Sequence, residues 1–373
     1  MQAETVQYLY KFPVLLLALL LNACTTQAPI TRDPSAPGSP TRAPQRLEAS
    51  RTATQQRLIS EASALLPLAT SEPGKLFLQA AVTLPAMPTR IAYRDDNTHD
   101  FFSAADAAAL PEERRKKLAP IELDEYRYYY TKYGTPLAYV RALDLAAAQG
   151  FSDVKGMRIL DFGYGSIGHL RLLAGLGAYT VGVDPDSYLK ALYSQSSDQG
   201  AVPPARELYR GAPGTVILSH GRWPRDGAVA EMVNRGGPYQ LILSKNTLKR
   251  GYLKPERRAN KNQLIDLGVS DEVFLKSVYQ ALVPGGLLVV YNLAPKQNSA
   301  DKPYLPHADA RVPFTREQFA KAGFTVIAFD TEDHDFVRRM GAAVGWDKND
   351  KGEVVNDLST NLFAIYTIVS RAK

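Results

Sequence analysis

The sequence predicts a doubly wound α/β protein built on a mostly parallel sheet, with a helical extension ahead of it. Three observations carry that expectation. Arg158 to Asp184 reads as strand, glycine turn, helix and second strand, which is a β-α-β unit. Two further short apolar runs, Gly214 to Ser219 and Tyr239 to Ser244, follow at intervals that leave room for helices. A Pro284-Gly285-Gly286 turn then leads from a helical stretch into another apolar strand ending near Tyr291.

Within the first unit, Ile159 and Leu160 end a short strand and Gly163, Gly165 and Gly168 make the turn. Leu170, Leu172, Leu173 and Leu176 recur at helical spacing, and Gly177 suits the C-terminal cap. Tyr179 to Val183 is the second strand, closed by Asp184. Glycines in such a turn allow a ligand to approach the main chain closely. The following helix offers free N–H groups and the positive end of its dipole. An acid at the tip of the second strand can accept both hydroxyls of a ribose. The unit therefore reads as a site for an adenosine-containing cofactor, although the same glycines also suit a strand-turn-helix with no ligand or a nicotinamide or flavin enzyme. Asp161 narrows the choice. A carboxylate two residues before Gly163 suits a cationic amino-acid head group and would repel a pyrophosphate.

The run Asp161-Phe162-Gly163-Tyr164-Gly165-Ser166-Ile167-Gly168 resembles motif I of the class I S-adenosylmethionine-dependent methyltransferases, with Ile167 where that family commonly has its third glycine. The resemblance covers Tyr126 to the C-terminus. It implies a seven-stranded, Rossmann-like sheet and S-adenosylmethionine as cofactor. It assigns Asp161, Gly163, Tyr164, Gly165, Gly168, Asp184 and Tyr133 to cofactor binding, with Asp184 as the ribose acid. Asn246, after the fourth strand, matches the motif IV position, where an amide can orient an attacking amine or hydroxyl. The Pro-Gly-Gly turn matches the family's junction into the fifth strand. The family's acid after the third strand is missing; Asp226 is the nearest, and Trp223 either stacks on the base or simply packs. His220 is the candidate general base.

The segment preceding the first strand also resembles the family's lid. Tyr126, Tyr128, Tyr129, Tyr130 and Tyr133 crowd before Gly134-Thr135-Pro136, and a helix is expected from Pro136 to Ala148. These rings either face a sulfonium, line a substrate pocket or pack the helix onto the sheet.

The chain has 373 residues and a net charge of +6, with basic residues scattered and no aromatic-interleaved basic strip of the kind that reads nucleic acid. The single cysteine excludes an intrachain disulfide, and the five histidines show no metal-ligand spacing, so no metal site is expected.

Residues 1–23 read as a signal peptide. An apolar core from Pro13 to Leu21 leads to Leu21-Asn22-Ala23-Cys24, which resembles a bacterial lipobox with Cys24 as the lipidated residue. A buried N-terminal helix is the competing reading. Residues 24–54 are a Pro-rich tether, 55–125 an N-terminal extension and 126–373 the methyltransferase-like domain. The extension is expected to hold a helix over Gln55 to Leu68, a strand or helix over Leu76 to Thr83, a loop over Tyr93 to Asp100, and a helical pair over Ser103 to Leu118 broken at Pro111. A lipidated Cys24 implies the cell envelope, on the outer membrane, with the membrane as a partner beside an unidentified methyl acceptor. Cytoplasmic location follows if the signal is misread.

Beyond Asp184, a helix opens at Ser187, Gly200 to Arg210 is irregular, and Lys245 and Lys249 are candidate anion contacts. Asp271 to Leu282 is a helix with Val273, Phe274, Val278 and Leu282 on its apolar face. Gln297 to Pro313 is a loop fit to be a substrate flap, and Thr315 with Gln318 caps the next helix. Phe324 to Phe329 and Leu362 to Ser370 complete the sheet, and Glu332 to Asp335 is a solvated turn or a cation site. Three function classes result: methyl transfer from S-adenosylmethionine; an envelope lipoprotein that keeps the domain as a binding module without catalysis; and a nicotinamide-dependent oxidoreductase, which fits the glycines but not Asp161 or the Pro-Gly-Gly turn.

Overall fold

The computed structural model describes residues 51–349 and 351–373. The signal peptide, Cys24 and nearly all of the tether lie outside them. Residues Arg51–Lys373 form one compact unit. No helix among the described residues is long and apolar enough to cross a membrane.

Strands in chain order are β1 Arg90–Asp95, β2 Phe101–Ser103, β3 Leu118–Leu123, β4 Arg158–Phe162, β5 Tyr179–Asp184, β6 Gly200–Val202, β7 Gly214–His220, β8 Tyr239–Lys245, β9 Leu282–Ala294, β10 Phe324–Glu332 and β11 Phe363–Arg371. The main sheet has eight strands in the order β10-β11-β9-β8-β4-β5-β7-β6. From β7 through β9 every pair is parallel. β11 runs antiparallel between β9 and β10. The chain winds outward from β4 through β5 and β7, then returns to β8 on the other side. The carboxyl ends of β4 and β8 thus flank a topological switch point, where sheets of this kind bind ligands.

The expected doubly wound, seven-stranded core is present, with one addition. Gly200–Val202, read as irregular, is an eighth strand, antiparallel on the edge beside β7. Three residues carry too little alternation to announce a strand.

The central strands are short apolar runs because both faces are covered. Ile159 packs on one face with Leu143, Leu172 and the extension's Leu58 and Phe77. Leu160 packs on the other with Trp223, Phe274 and Phe314. On that second face the helix Asp271–Ala281 buries Phe274, Leu275 and Val278, while Val273 is exposed, contrary to the expected stripe. Thr315 and Gln318 form the expected capping box of Arg316–Lys321.

In the extension, Ala53–Leu65 is a helix, Leu76 falls in the helix Glu72–Gln79, and Ala104–Ala108 with Glu112–Arg115 are the expected pair. The loop expected over Tyr93 to Asp100 starts only at Asp96: Tyr93 to Asp95 end β1, which pairs with β2 and β3 in a separate three-stranded sheet. The strand escaped pattern reading because two of its buried residues are polar. Arg90 is buried against Asp198, with both guanidinium nitrogens at 2.8 Å. The turn expected at Glu332 to Asp335 is solvated only in part: Glu332 and Asp335 are exposed and Asp333 is not. Asp333 is buried, paired with Arg141 at 2.7 Å and accepting from the Tyr291 hydroxyl at 3.0 Å.

Candidate functional site at the β4, β5 and β8 tips

β4 ends on Asp161 and Phe162, and the chain turns through Gly163 and Gly165, both at positive φ (79° and 59°). The helix Gly168–Gly175 starts where the turn closes. Several of the turn's amides are already engaged. Gly163 N–H donates to Val183 O at 2.8 Å, and Ile167 N–H donates to the Tyr193 hydroxyl at 3.1 Å. Gly168 lies close under Pro136, where a Cβ would come within 2.8 Å of the ring.

Asp161 is fully buried. Its Oδ2 accepts from His169 Nε2 at 2.6 Å. His169 lies flat on Tyr139, with ring centroids 3.6 Å apart. Burial lowers the His169 pKa, and the bond to Asp161 opposes that shift. A neutral ring that donates from Nε2 leaves Nδ1 as an acceptor, and Nδ1 is buried with no partner among the described residues. The Tyr139 hydroxyl is in polar contact with the same carboxylate, yet Asp161 Oδ1 has no partner in hydrogen-bond geometry among the described residues. Lys245, at the tip of β8, holds its Nζ 5.5 Å from the Tyr139 ring centroid. Burial lowers its pKa to about 8 against the opposing pull of Asp161.

Asp184 sits at the tip of β5 and is 8% exposed. Its Oδ1 accepts the Asp186 N–H at 2.9 Å, and the Gly165 amide supports the same carboxylate. Burial pushes its pKa up to about 7; the two amides pull it down, and the Asp186 charge adds to the rise.

Residues 131–133 lie across the turn as a strap. Thr131 Oγ1 donates to Gly165 O at 2.9 Å from a backbone at φ 52°. The Tyr133 ring stands over Gly165, where a Cβ would meet it at 3.1 Å. The Tyr133 hydroxyl donates to Asp186 Oδ2 at 2.8 Å, and Lys132 Nζ reaches the same oxygen at 2.7 Å. Over Gly163 stands Thr247, whose Oγ1 would be 2.0 Å from a Cβ there. Both glycines therefore serve close approach of the chain's own side chains.

The remaining expected residues take distinct places. Tyr164 is buried, its ring against the space a Gly182 side chain would fill. Tyr128, Tyr129 and Tyr130 are buried on the helix Glu125–Tyr130 and pack the extension, whereas Tyr126 and Tyr133 are exposed. Asn246, at φ 63°, uses Oδ1 to accept the Leu293 N–H at 2.7 Å, which ties the β8 tip to β9. His220 ends β7, in register with Asp184. Burial lowers its pKa to about 4, with Lys190 adding to the fall, and its Nδ1 is buried with no partner among the described residues. Trp223 is buried between Phe162 and Phe274, which is the packing role. Lys249 is buried and donates to Leu293 O and to His307 O, pinning the 297–313 loop to β9. Among the described residues no acidic, histidine or cysteine cluster could hold a metal ion.

His169, Tyr139, Lys132, Asp186 and Thr247 were not singled out from sequence. His169 carried one signal, its place immediately after Gly168 and eight residues from the acid it meets.

No family model matches the chain, and no curated protein matches it. Among solved structures the chain is similar to magnesium protoporphyrin IX methyltransferase from Synechocystis, crystallised with bound S-adenosylhomocysteine, at 13% identity over 64% of this chain and 83% of that one, TM-score 0.32. It is similar to the cyclopropane synthase MmaA2 from Mycobacterium tuberculosis at 14% identity over 63% and 84%, TM-score 0.36. It is similar to an S-adenosylmethionine-dependent methyltransferase from Mesorhizobium loti at 17% identity over 63% and 98%, TM-score 0.31.

Proposed function

We propose that the crevice at the β4 and β5 tips holds S-adenosylmethionine and that the chain transfers its methyl group to an acceptor not identified by the sequence. The observation that carries this is the placement of Asp161 and Asp184 at the tips of adjacent parallel strands, either side of a turn held at positive φ. Asp184 would take the ribose hydroxyls, the Gly163–Gly168 turn the cofactor backbone and Asp161 the amino-acid end. The cofactor supplies a methyl group already activated by its sulfonium. The chain's part is then positioning and exclusion of water. Asn246 holds the rim of the crevice rigid through Leu293. His220, neutral at pH 7, is the available base.

A second reading has its own support. Tyr133 and Thr247 stand over the two turn glycines, and Asp161 already has His169 as partner. A chain locked in that state is a binding module with the fold and without the reaction. Anchoring through a lipidated Cys24 would place it in the envelope, away from cytoplasmic S-adenosylmethionine, and favours the same reading; fractionation of wild type and Cys24→Ala tests the anchor.

Calorimetry with S-adenosylmethionine and S-adenosylhomocysteine separates the two. The methyltransferase reading expects binding by wild type, tighter binding by Tyr133→Ala and a loss of about a hundredfold in Asp184→Ala, from two charge-assisted hydrogen bonds. Absence of binding in both wild type and Tyr133→Ala leaves the module.

A further inference from the structure

The polar cluster at the β4 and β8 tips contains two opposite charges that do not meet. β4 and β8 are parallel with Asp161 opposite Leu243, so Lys245 lies two residues beyond Asp161 toward the crevice. The Asp161 charge acts on Lys245. Among the described residues, however, Lys245 Nζ forms no ion pair or hydrogen bond, and its near neighbour is the face of Tyr139. Asp161 in turn is fully buried, and beyond the polar contact of the Tyr139 hydroxyl with its carboxylate, Oδ1 meets no described residue in hydrogen-bond geometry. An unsatisfied buried acceptor is costly, and the cost is explained when a ligand group completes it. His169 fixes the carboxylate through Oδ2 and so aims Oδ1. One anion with an open acceptor beside one cation with open donors matches the two ends of an α-amino-acid zwitterion.

We propose that Asp161 and Lys245 form a two-point clamp for the α-amino-acid end of the cofactor, Asp161 taking the ammonium and Lys245 the carboxylate. The inference rests on the cofactor reading above and deepens it, because it makes the amino-acid tail the part that Lys245 selects. A partly desolvated ammonium gains most from a carboxylate, since burial has already removed much of its water. An adenosyl thioether lacking the amino acid has nothing to offer either charge.

The test compares S-adenosylhomocysteine with 5′-methylthioadenosine, which shares the adenosine and sulfur but not the amino-acid tail, by calorimetry on wild type, Lys245→Met and Lys245→Arg. The clamp expects Lys245→Met to bind S-adenosylhomocysteine about tenfold or more weakly while 5′-methylthioadenosine is unchanged, and Lys245→Arg to recover part of the loss. Unchanged binding of 5′-methylthioadenosine also reports that the variant is folded. Equal weakening of both ligands makes Lys245 a structural counter-ion and overturns the clamp, as does unchanged S-adenosylhomocysteine binding. Wild type that binds neither ligand overturns the cofactor reading itself, and the clamp with it.

Discussion

Asp161 and Asp184 close neighbouring strands of one sheet, and their surroundings differ in kind. Asp161 is sealed inside, with a side-chain partner in His169 and a lysine nearby. Asp184 is nearly as buried, but its support comes from the amides of Gly165 and Asp186, and a second carboxylate stands beside it. Asp161 is therefore part of the framework that joins β4 to the helix after the turn. Asp184 is an acid whose pKa is pushed up to about 7, next to Asp186, which the strap at residues 131–133 engages. Equivalent topological places thus give one carboxylate anchored by a side chain through Oδ2 and one held by amides beside a second acid, and burial with that second charge is what raises the Asp184 pKa.

The sharpest way to break this contrast is Asp161→Ala. It strands the His169 Nε2 donor in the interior, and the expected loss is about 1–3 kcal/mol in urea unfolding. A loss below about 1 kcal/mol would show that the pair is not structural.

Asp184 predicts the pH dependence. Its folded pKa of about 7 lies above the ordinary aspartate value of about 3.9. Between about pH 4 and 7 the native state holds the extra proton, so this group's contribution to stability is full at the acid end, falls as pH rises and levels off above about 7. Asp184→Asn removes that fall. Its stability relative to wild type should rise across the window by at most about 4 kcal/mol in denaturant titrations at fixed pH. A parallel profile in the two proteins would deny Asp184 its elevated pKa.

The strap gives smaller effects. Gly165→Ala places a side chain at φ 59° and against Tyr133, for an expected loss of about 1–2 kcal/mol in thermal unfolding. In the Tyr133→Ala background only the backbone part of that loss should remain. Tyr133→Phe removes the hydroxyl bond to Asp186 and keeps the ring. Its expected cost is about 1 kcal/mol or less, seen as a modest gain in affinity for S-adenosylhomocysteine if the strap must lift.

Much of the central sheet was legible because strands buried on both faces read as continuous apolar runs. The glycine turn, the helix behind it and the capping box at Thr315 were legible because each rests on neighbours within a few residues. β1 was not, since its buried Arg90 is satisfied by Asp198, 108 residues away. Asp333 was not, since its partner Arg141 lies 192 residues away. Polarity in a strand or turn reads as exposure until the distant partner is known. The crowded tyrosines show the same division. Their identity promised aromatic packing, but only the fold separates buried Tyr128, Tyr129 and Tyr130 from the exposed Tyr133 over Gly165.

By itself, the order of apolar runs and glycines determined the doubly wound architecture and brought two acids to adjacent strand tips, because those features depend on local backbone preference and on hydrophobic burial. Tertiary structure alone decided that Asp161 is bonded to His169, that Lys245 stands near it with no hydrogen bond or ion pair among the described residues, and that Tyr133 closes over the turn. Those outcomes depend on which side chains share a buried volume, and a linear pattern carries no record of that.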